Sequence, residues 1–312
     1  MEPITRQEEF LAYIANGETN DLEPKTRKEA MLKAIANGEA ITLEPKTREE
    51  MFLRMISENG GAGNTGGGDT GGSDIDALIE GSLTEITSNA KKVSEHAFKQ
   101  NPTISSVNFP NAVTIDNSAF LSCSSLERAD FPSALSVGEK VFSSCSKLAE
   151  VNFPQATSLD SSAFASCNAL TNVYFPSVVS VGTYVLVNCS KLMRVNFPSL
   201  RIVEKFDFQN CPMLEEADFS AVTQINASAF ANSTKFGRLI LRNHTGVCSL
   251  AATSAFNGTA IASGTGYVYV PRALVDSYKS ATNWSTYASQ FRALEDYTVD
   301  GTITGELDES KI

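Results

Sequence analysis

Apolar and polar positions recur with a period of 22 residues through the middle of the chain. One unit reads C-x-x-L-x-x-V-x-F-P-x-x-x-x-[IVL]-x-x-x-A-F, and its segment L-x-x-V-x-F ends in the apolar and polar alternation of a β-strand. Proline then stops the strand, because its nitrogen cannot donate to a ladder. The pattern predicts one short strand in each unit. The seven strands start at Ile104, Leu126, Leu148, Leu170, Leu192, Leu214 and Phe236.

Neighbouring units must stack, since a single coil of this length cannot bury its own leucine, valine and phenylalanine. With about 4.8 Å between parallel strands, the steps between the seven strands add up to roughly 29 Å. We therefore expect a solenoid over residues 77–242. A capping region over residues 243–297 and an acidic tail over residues 298–312 should follow it.

A column of cysteines accompanies these strands. Its members stand 22 residues apart and are Cys123, Cys145, Cys167, Cys189 and Cys211. Asn101 and Ser233 take the same place in the first and last coils, which suits small side chains that bond loop backbone. We favour buried, reduced thiols over the alternatives of disulfides or a metal. Zinc sites use paired C-x-x-C spacings, which the sequence lacks, so we predict no metal site.

The repeat resembles the BspA-like, treponemal type of bacterial leucine-rich repeats. The resemblance covers residues 83–242, where Cys, Leu, Val, Phe-Pro and Ala-Phe fall in register over several units. The segment from Tyr267 to Pro271 and the residues up to Trp284 resemble the closing strand and helix of many gut-bacterial members. The resemblance implies an α+β repeat fold, a leucine-rich-repeat solenoid. It also implies a curved binding surface, often found in adhesins, rather than catalysis.

The first 58 residues carry a different repeat, of 21 residues, whose copies begin at Glu2, Glu23 and Glu44. In each copy a threonine is followed three residues later by glutamate, a capping box that starts a helix. We predict three short helices over residues 1–58, similar to amino-terminal segments of fibre-like structural proteins of gut Firmicutes phages. Helices of about ten residues are marginal alone. Their apolar stripes therefore need sister helices, a homo-oligomer or a virion assembly, and light scattering with and without residues 1–58 tests oligomerisation.

Residues 59–76 read as a glycine-rich linker, with eight glycines between Asn59 and Asp74. A G-x-G-x-x-G match begins at Gly61, but neither a predicted strand nor a predicted helix flanks it, as a dinucleotide site would require. The linker interpretation is therefore favoured, and we predict no cofactor. The helical segment and the solenoid need not touch.

Charge and composition narrow the classes of function. Lys and Arg number 25 against 36 Asp and Glu, and a net charge of -11 repels phosphate backbones, so we expect no nucleic-acid partner. No run of 18 apolar residues is present, and the first residues lack the pattern of a secretory signal, so we expect no membrane insertion and no export.

The chain has two histidines, His96 and His244, near opposite ends of the solenoid, so a serine nucleophile would lack a positioned base. We predict no catalytic residues and no enzyme. A glycan hydrolase is the alternative from a different class of function.

Outward strand positions supply the candidate binding residues. One outward column alternates in charge, from Arg128 through Glu150 to Arg238, and cross-strand pairing is favoured over ligand binding there. In the other column Tyr174 is the one aromatic residue, and Met193 and Arg194 lie on the next strand. Tyrosine and arginine dominate binding hot spots.

Tyr184 and Phe206 interrupt the repeat in adjacent coils, where Ser or Lys is usual. They are candidates for a contact patch, with an irregular core as the alternative. The candidate binding residues are Tyr174, Met193, Arg194, Tyr184 and Phe206.

The order of helical segment, tether and repeat head predicts a non-enzymatic binding protein. We expect a phage virion fibre or receptor-binding protein, made in the host cytoplasm, that recognises a bacterial surface protein or glycan through its head. The alternative is a BspA-like adhesin on the surface of a bacterial cell.

Overall fold

A computed structural model of the protein describes residues 84–297, which form a solenoid of parallel β-strands. The predicted solenoid of coils of 22 residues is confirmed. The predicted helices of residues 1–58, the linker of residues 59–76 and the acidic tail of residues 298–312 lie outside the described residues.

Each coil contributes one strand to a row that we name the first row. Its members are β1 (Glu85–Thr87), β3 (Ser106–Asn108), β5 (Arg128–Asp130), β7 (Glu150–Asn152), β9 (Asn172–Tyr174), β11 (Arg194–Asn196), β13 (Glu216–Phe219), β15 (Arg238–Leu241), β17 (Tyr267–Val270) and β18 (Phe291–Ala293). Neighbours are parallel and in register, and the row is divided between β7 and β9 into sheets of four and six strands. The seven predicted strands are β3 to β15, and β1, β17 and β18 extend them.

The prediction of one strand per coil is wrong, because most coils contribute a second, two-residue strand. These strands form the second row, which consists of β2 (Lys92–Val93), β4 (Thr114–Ile115), β6 (Ser136–Val137), β8 (Ser158–Leu159), β10 (Ser180–Val181), β12 (Ile202–Val203), β14 (Gln224–Ile225) and β16 (Ser249–Leu250). Each places one apolar residue in or against the core at the [IVL] position of the repeat. Two residues are too few to show an alternation in the sequence. The second row is divided between β10 and β12.

The core between the two rows contains two columns of phenylalanine rings. In one column Phe109, Phe131 and Phe153 stack with centroids 5.3 Å apart. In the other column Phe120 and Phe142 stack at the same distance. The columns meet edge to face, as in the pair of Phe142 and Phe153 at 5.8 Å. Such ring pairs add about 0.5–1.5 kcal/mol beyond the burial of their area, so the period of the repeat fixes the core.

The ring columns are irregular around Leu186, which stands where other coils have phenylalanine. Phe175, which faces this gap, is tilted by 39° against both Phe164 and Phe197. Its distance from Phe153 grows to 6.4 Å. The first row is divided at the same coil boundary, between β7 and β9. The loss of one ring thus accompanies a local break in strand pairing.

The cysteine column bonds consecutive coils to each other. Each thiol donates to a backbone carbonyl 25 residues earlier over 2.9–3.3 Å, in Cys123, Cys145, Cys167, Cys189 and Cys211. Ser233 donates in the same way to the Phe208 carbonyl at 2.7 Å. Burial raises the pKa of Cys211 to about 12. The thiols therefore stay protonated and able to donate, and the six cysteines between residues 84 and 297 are unpaired.

The C-terminal part closes the solenoid with short helices and the last two strands. The helical segments are the 3-10 helices Thr253–Phe256, Arg272–Leu274, Trp284–Gln290 and Leu294–Asp296 and the helix α1 (Val275–Ser280). The indole Nε1 of Trp284 donates to the Cys248 carbonyl at 2.6 Å, and the Cys248 amide donates to Tyr278 Oη at 2.8 Å. The cysteine outside the column therefore anchors this cap.

Candidate binding face

The outward side chains of the first row form a surface that we name the first-row face. In most strands the middle residue is buried and its two neighbours point outward, as Ala129 does between Arg128 and Asp130. Because paired strands are in register, these outward residues line up from coil to coil. One column contains Ser106, Arg128, Glu150, Asn172, Arg194, Glu216 and Arg238, and the other contains Asn108, Asp130, Asn152, Tyr174, Asn196, Asp218 and Ile240.

Charge pairing along the first column occurs at one end of the described face. Arg238 Nε donates to Glu216 Oε2 at 2.9 Å. Within residues 84–297, no ion pair links Arg128 to Glu150 or Arg194 to Glu216. The predicted pairing is therefore wrong for these coils. Exposed pairs gain little energy and cost the entropy of two long side chains, so the two arginines stay available to a ligand.

The chain's own C-terminal segment covers the last strands of the first-row face. Tyr297 Oη donates to Glu216 Oε2 at 2.6 Å, and its ring meets Tyr269 edge to face with centroids 4.8 Å apart. Glu216 is consequently only 7% exposed. Burial and the hydrogen bond to Glu216 raise the pKa of the Tyr297 phenol, so this hydroxyl donates throughout the neutral range.

A second buried ion pair lies under the same cover. Arg242 donates to both oxygens of Asp218, from Nε at 2.9 Å and from Nη2 at 2.8 Å. Burial raises the pKa of Asp218, and the Arg242 guanidinium partly offsets this rise. A two-point pair of this kind fixes geometry as well as charge. The first-row face is therefore closed at β13 and beyond, and the strands from β3 to β11 remain open.

Three of the five predicted binding residues lie on the open part of the first-row face or at its edge. Tyr174 ends β9 and is 38% exposed, and Arg194 begins β11 and is exposed. They are diagonal neighbours, since Tyr174 pairs with Asn196 and Arg194 pairs with Asn172. Met193 precedes β11 and is half-buried, and its amide donates to the Thr171 carbonyl at 2.7 Å.

The other two predicted residues, Tyr184 and Phe206, lie in turns that follow the second row. Their rings stack with centroids 4.8 Å apart and an angle of 11° between the ring planes. Tyr184 is 39% exposed and Phe206 is half-buried. In the part of the chain that the structure describes, no ring contact or hydrogen bond joins this pair to Tyr174 or Arg194. The five residues thus form two separate groups.

A buried carboxyl beside this pair is absent from the predictions. Asp207 is fully buried, and its two oxygens accept from the amides of Glu204 at 2.7 Å and Val185 at 3.3 Å. Burial raises the pKa of Asp207 well above its usual range, against the effect of the two amides. The signal was visible in the sequence, because the same column otherwise contains Ala119, Val141, Ala163, Val185 and Ala229.

Tyr297 and Tyr269 were also missed, and here no sequence signal was available. The bond from Tyr297 to Glu216 joins residues that are 81 positions apart. Neither tyrosine belongs to the repeat that organises the face. The end of the open face could therefore be found only in the folded structure.

The described residues offer little for metal or acid–base chemistry. Among residues 84–297, no three or more His, Cys, Asp or Glu side chains gather as metal ligands would. His96 lies in the turn after β2, 3.8 Å from Glu95, and His244 is exposed in the loop after β15. No helix in this range is long and apolar enough to cross a bilayer.

Comparison with known families decides the origin of this repeat. The sequence profile described as the BspA type leucine rich repeat region matches residues 80–191 and 157–265, with six copies. The two matches together cover more than half of the chain. The chain belongs to the BspA-type leucine-rich repeat family. Membership in the BspA-type family agrees with the resemblance in the sequence, and a comparison with curated protein sequences gives no match.

Solved structures of bacterial repeat proteins share this BspA-type fold in part. A leucine rich repeat protein of T. pallidum is 24% identical, with a TM-score of 0.46, over 56% of this chain and 80% of that one. A leucine rich cell surface protein of Faecalibacterium prausnitzii is 19% identical, with a TM-score of 0.38, over 69% of this chain and 65% of that one. A leucine-rich repeat protein of Eubacterium ventriosum is 19% identical, with a TM-score of 0.39, over 57% of this chain and 43% of that one.

Proposed function

We propose that this protein is a non-enzymatic binding protein of the adhesin type, which acts at the surface of a bacterial cell. Its ligand is a surface protein or glycan. The contact is made by the open part of the first-row face, from β3 to β11. The observation that carries the proposal is the exposed pair of Tyr174 and Arg194 on adjacent strands of this face.

The geometry of the face supports binding. Parallel strands in register present outward side chains on a backbone that is already ordered, so little entropy is lost when a ligand binds. Tyrosine brings a large contact area with few rotatable bonds, and arginine presents a planar fork of donors. Asn172 and Asn196, the ladder partners of Arg194 and Tyr174, add amides beside them. Together they form a compact patch with both apolar and hydrogen-bonding character.

Repeat membership favours the adhesin hypothesis over the phage-fibre hypothesis. The match to the BspA type repeat covers the head of the molecule. The phage-fibre hypothesis depended on residues 1–58, which lie outside the described residues, and the comparisons give it no support. Oligomerisation or assembly through residues 1–58 stays a prediction from the sequence.

Replacement of Tyr174 by asparagine is expected to weaken adhesion about tenfold or more, because it removes the aromatic anchor of the patch. Asparagine occupies the same column at residues 108, 152 and 196, so the variant restores the usual residue of the repeat. The measurement is the number of beads, coated with the full chain, that adhere to fixed epithelial cells and to fixed bacterial cells.

Ile202→Ser is the matched control for this experiment. It also restores a repeat residue, since Ser136, Ser158 and Ser180 occupy its column. Ile202 is 36% exposed, close to Tyr174, but lies in the second row. The control should adhere like the unaltered chain. Beads that bind neither cell type, or equal adhesion of the Tyr174→Asn beads, would contradict the proposal.

A further inference from the structure

Tyr184 and Phe206 occupy a backbone position that disfavours aromatic residues. The position recurs in each coil with a φ between 55° and 67°, at Ser118, Lys140, Ser162, Tyr184, Phe206 and Ser228. This left-handed region is uncommon for residues other than glycine, asparagine and aspartate, and a bulky side chain there is an outlier. Backbone strain of this kind persists where the surroundings impose it, and it clusters at binding sites.

The two rings form a stack that is open at both ends. Their planes are nearly parallel and 4.8 Å apart, the spacing between neighbouring coils. The next residues in the same column are Ser162 before Tyr184 and Ser228 after Phe206. Because both serines are small, each end of the stack presents an aromatic face next to a hydroxyl. A flat ring could extend the stack at either end.

The backbone under the pair departs from the regular repeat. In neighbouring coils the amide at the Glu204 position bonds a second-row carbonyl, as Asp160 does with Val137 at 2.8 Å and Asn226 with Val203 at 3.0 Å. The Glu204 amide instead bonds the buried Asp207 carboxyl. The second row is divided at this point, between β10 and β12. A dedicated local structure therefore supports the aromatic pair.

Amides border the pair on both sides in sequence. Two residues before the turn position, Asn226 Nδ2 donates to Glu204 Oε2 at 2.8 Å, and Gln224 Nε2 donates to Asn226 Oδ1 at 2.7 Å. Four residues after it, three exposed asparagines form a ladder. Asn210 donates to Asn188 at 2.9 Å, and Asn232 donates to Asn210 at 3.0 Å. The polar groups around the rings are thus mainly uncharged amides and hydroxyls.

These features select the chemistry of a ligand. A pyranose ring has an apolar C–H face that packs on an aromatic ring, and hydroxyls around its edge that bond amides. An aromatic side chain of a protein would match the rings but would leave the polar border without partners, which is unfavourable where water is excluded. The small share of charged groups favours a neutral partner over an ionic one.

We propose that Tyr184 and Phe206 form a carbohydrate-binding site, in which a pyranose ring of a neutral polysaccharide packs on the open face of the aromatic stack. Its hydroxyls bond the neighbouring amides and serine hydroxyls. The site goes beyond the proposed function, because it lies in the turns after the second row and not on the first-row face. Either site can exist without the other.

Affinity electrophoresis of the full chain tests the proposal, in native gels that contain soluble β-glucan, xylan or galactomannan. We expect at least one polysaccharide to retard the protein. The double variant Tyr184→Ser, Phe206→Ser restores the repeat residue at both positions and removes the strain, so its fold should be kept. Its affinity should be at least about tenfold lower, because the stacking surface is lost. Phe206→Tyr keeps a ring and should still bind.

Tyr174→Asn is the control that separates the two proposals. It should leave retardation by polysaccharide unchanged while it lowers adhesion of the beads. Lack of retardation by all three polysaccharides, or equal retardation of the double serine variant, would overturn the carbohydrate site. If adhesion still depends on Tyr174 in that case, the proposed function stands without this site. Binding of the pair to a protein ligand alone would likewise overturn it.

Discussion

Replacement of Phe153 by alanine is expected to lower the free energy of unfolding by about 3–5 kcal/mol. The Phe153 ring is 2% exposed and stacks on Phe131 at 5.3 Å. It also meets Phe142 and Phe164 edge to face at 5.8 and 5.9 Å. Alanine would leave a cavity between coils that close packing cannot fill. The measurement is a denaturant melt of the full chain, followed by circular dichroism.

Leu135→Ala is the control for the core experiment. Leu135 is 45% exposed, so its truncation should change the free energy of unfolding by no more than about 0.5 kcal/mol. A loss below about 1 kcal/mol for Phe153→Ala would refute a core made of stacked rings. It would also refute the account of how the 22-residue period produces the fold.

Replacement of Asp207 by alanine is expected to raise the stability of the protein at pH 7 by about 1–3 kcal/mol, the usual cost of burying a poorly compensated polar group. Alanine is the usual residue of this column. Without the carboxyl, the Glu204 amide can bond the Val181 carbonyl, as the equivalent amides of Asp160 and Asn226 bond theirs. Denaturant melts of both proteins between pH 4 and pH 7 measure the effect.

The pH dependence follows from the direction of the pKa shift. Burial raises the pKa of Asp207, so the folded protein holds this proton at a higher pH than the unfolded chain does. The stability that this protonation contributes is fully present below about pH 4 and is lost as the pH rises through the raised pKa. The advantage of Asp207→Ala should therefore grow with pH.

Asp207→Asn separates titration from polarity at this site. It abolishes the titration but keeps a buried polar group, and its NH₂ group would face one of the two amide donors. We expect a flat pH dependence with a smaller gain than alanine gives. A variant with alanine that is less stable than the original protein at pH 7 would show that the two hydrogen bonds outweigh the cost of burial.

The sequence predicted the parts of the fold that depend on its period. Leucine, valine and phenylalanine at fixed spacing predicted the first row, and the cysteine column predicted a buried, repeated position that Ser233 confirms with the same hydrogen bond. The second row was missed because two-residue strands leave no alternation to detect. Its strands become recognisable only when neighbouring coils pair.

The site was predictable where a residue departs from the repeat. Tyr174, Tyr184 and Phe206 were found in this way, and Asp207 could have been found by the same comparison of columns. The extent of the open face could not be predicted. It depends on Tyr297 reaching Glu216 across 81 residues, and such a contact follows from the folded path of the C-terminal cap and not from the repeat.

Contact between the first-row face and its ligand is the central claim, and photochemical cross-linking tests it most directly. The photoreactive residue p-benzoylphenylalanine is placed at position 174 in one protein and at position 135 in another, and both are irradiated on the cells to which the beads adhere. The account predicts covalent adducts with cell-surface material from position 174 and none above background from position 135. Adducts from position 135 alone, or none from position 174 on cells that are clearly bound, would contradict it.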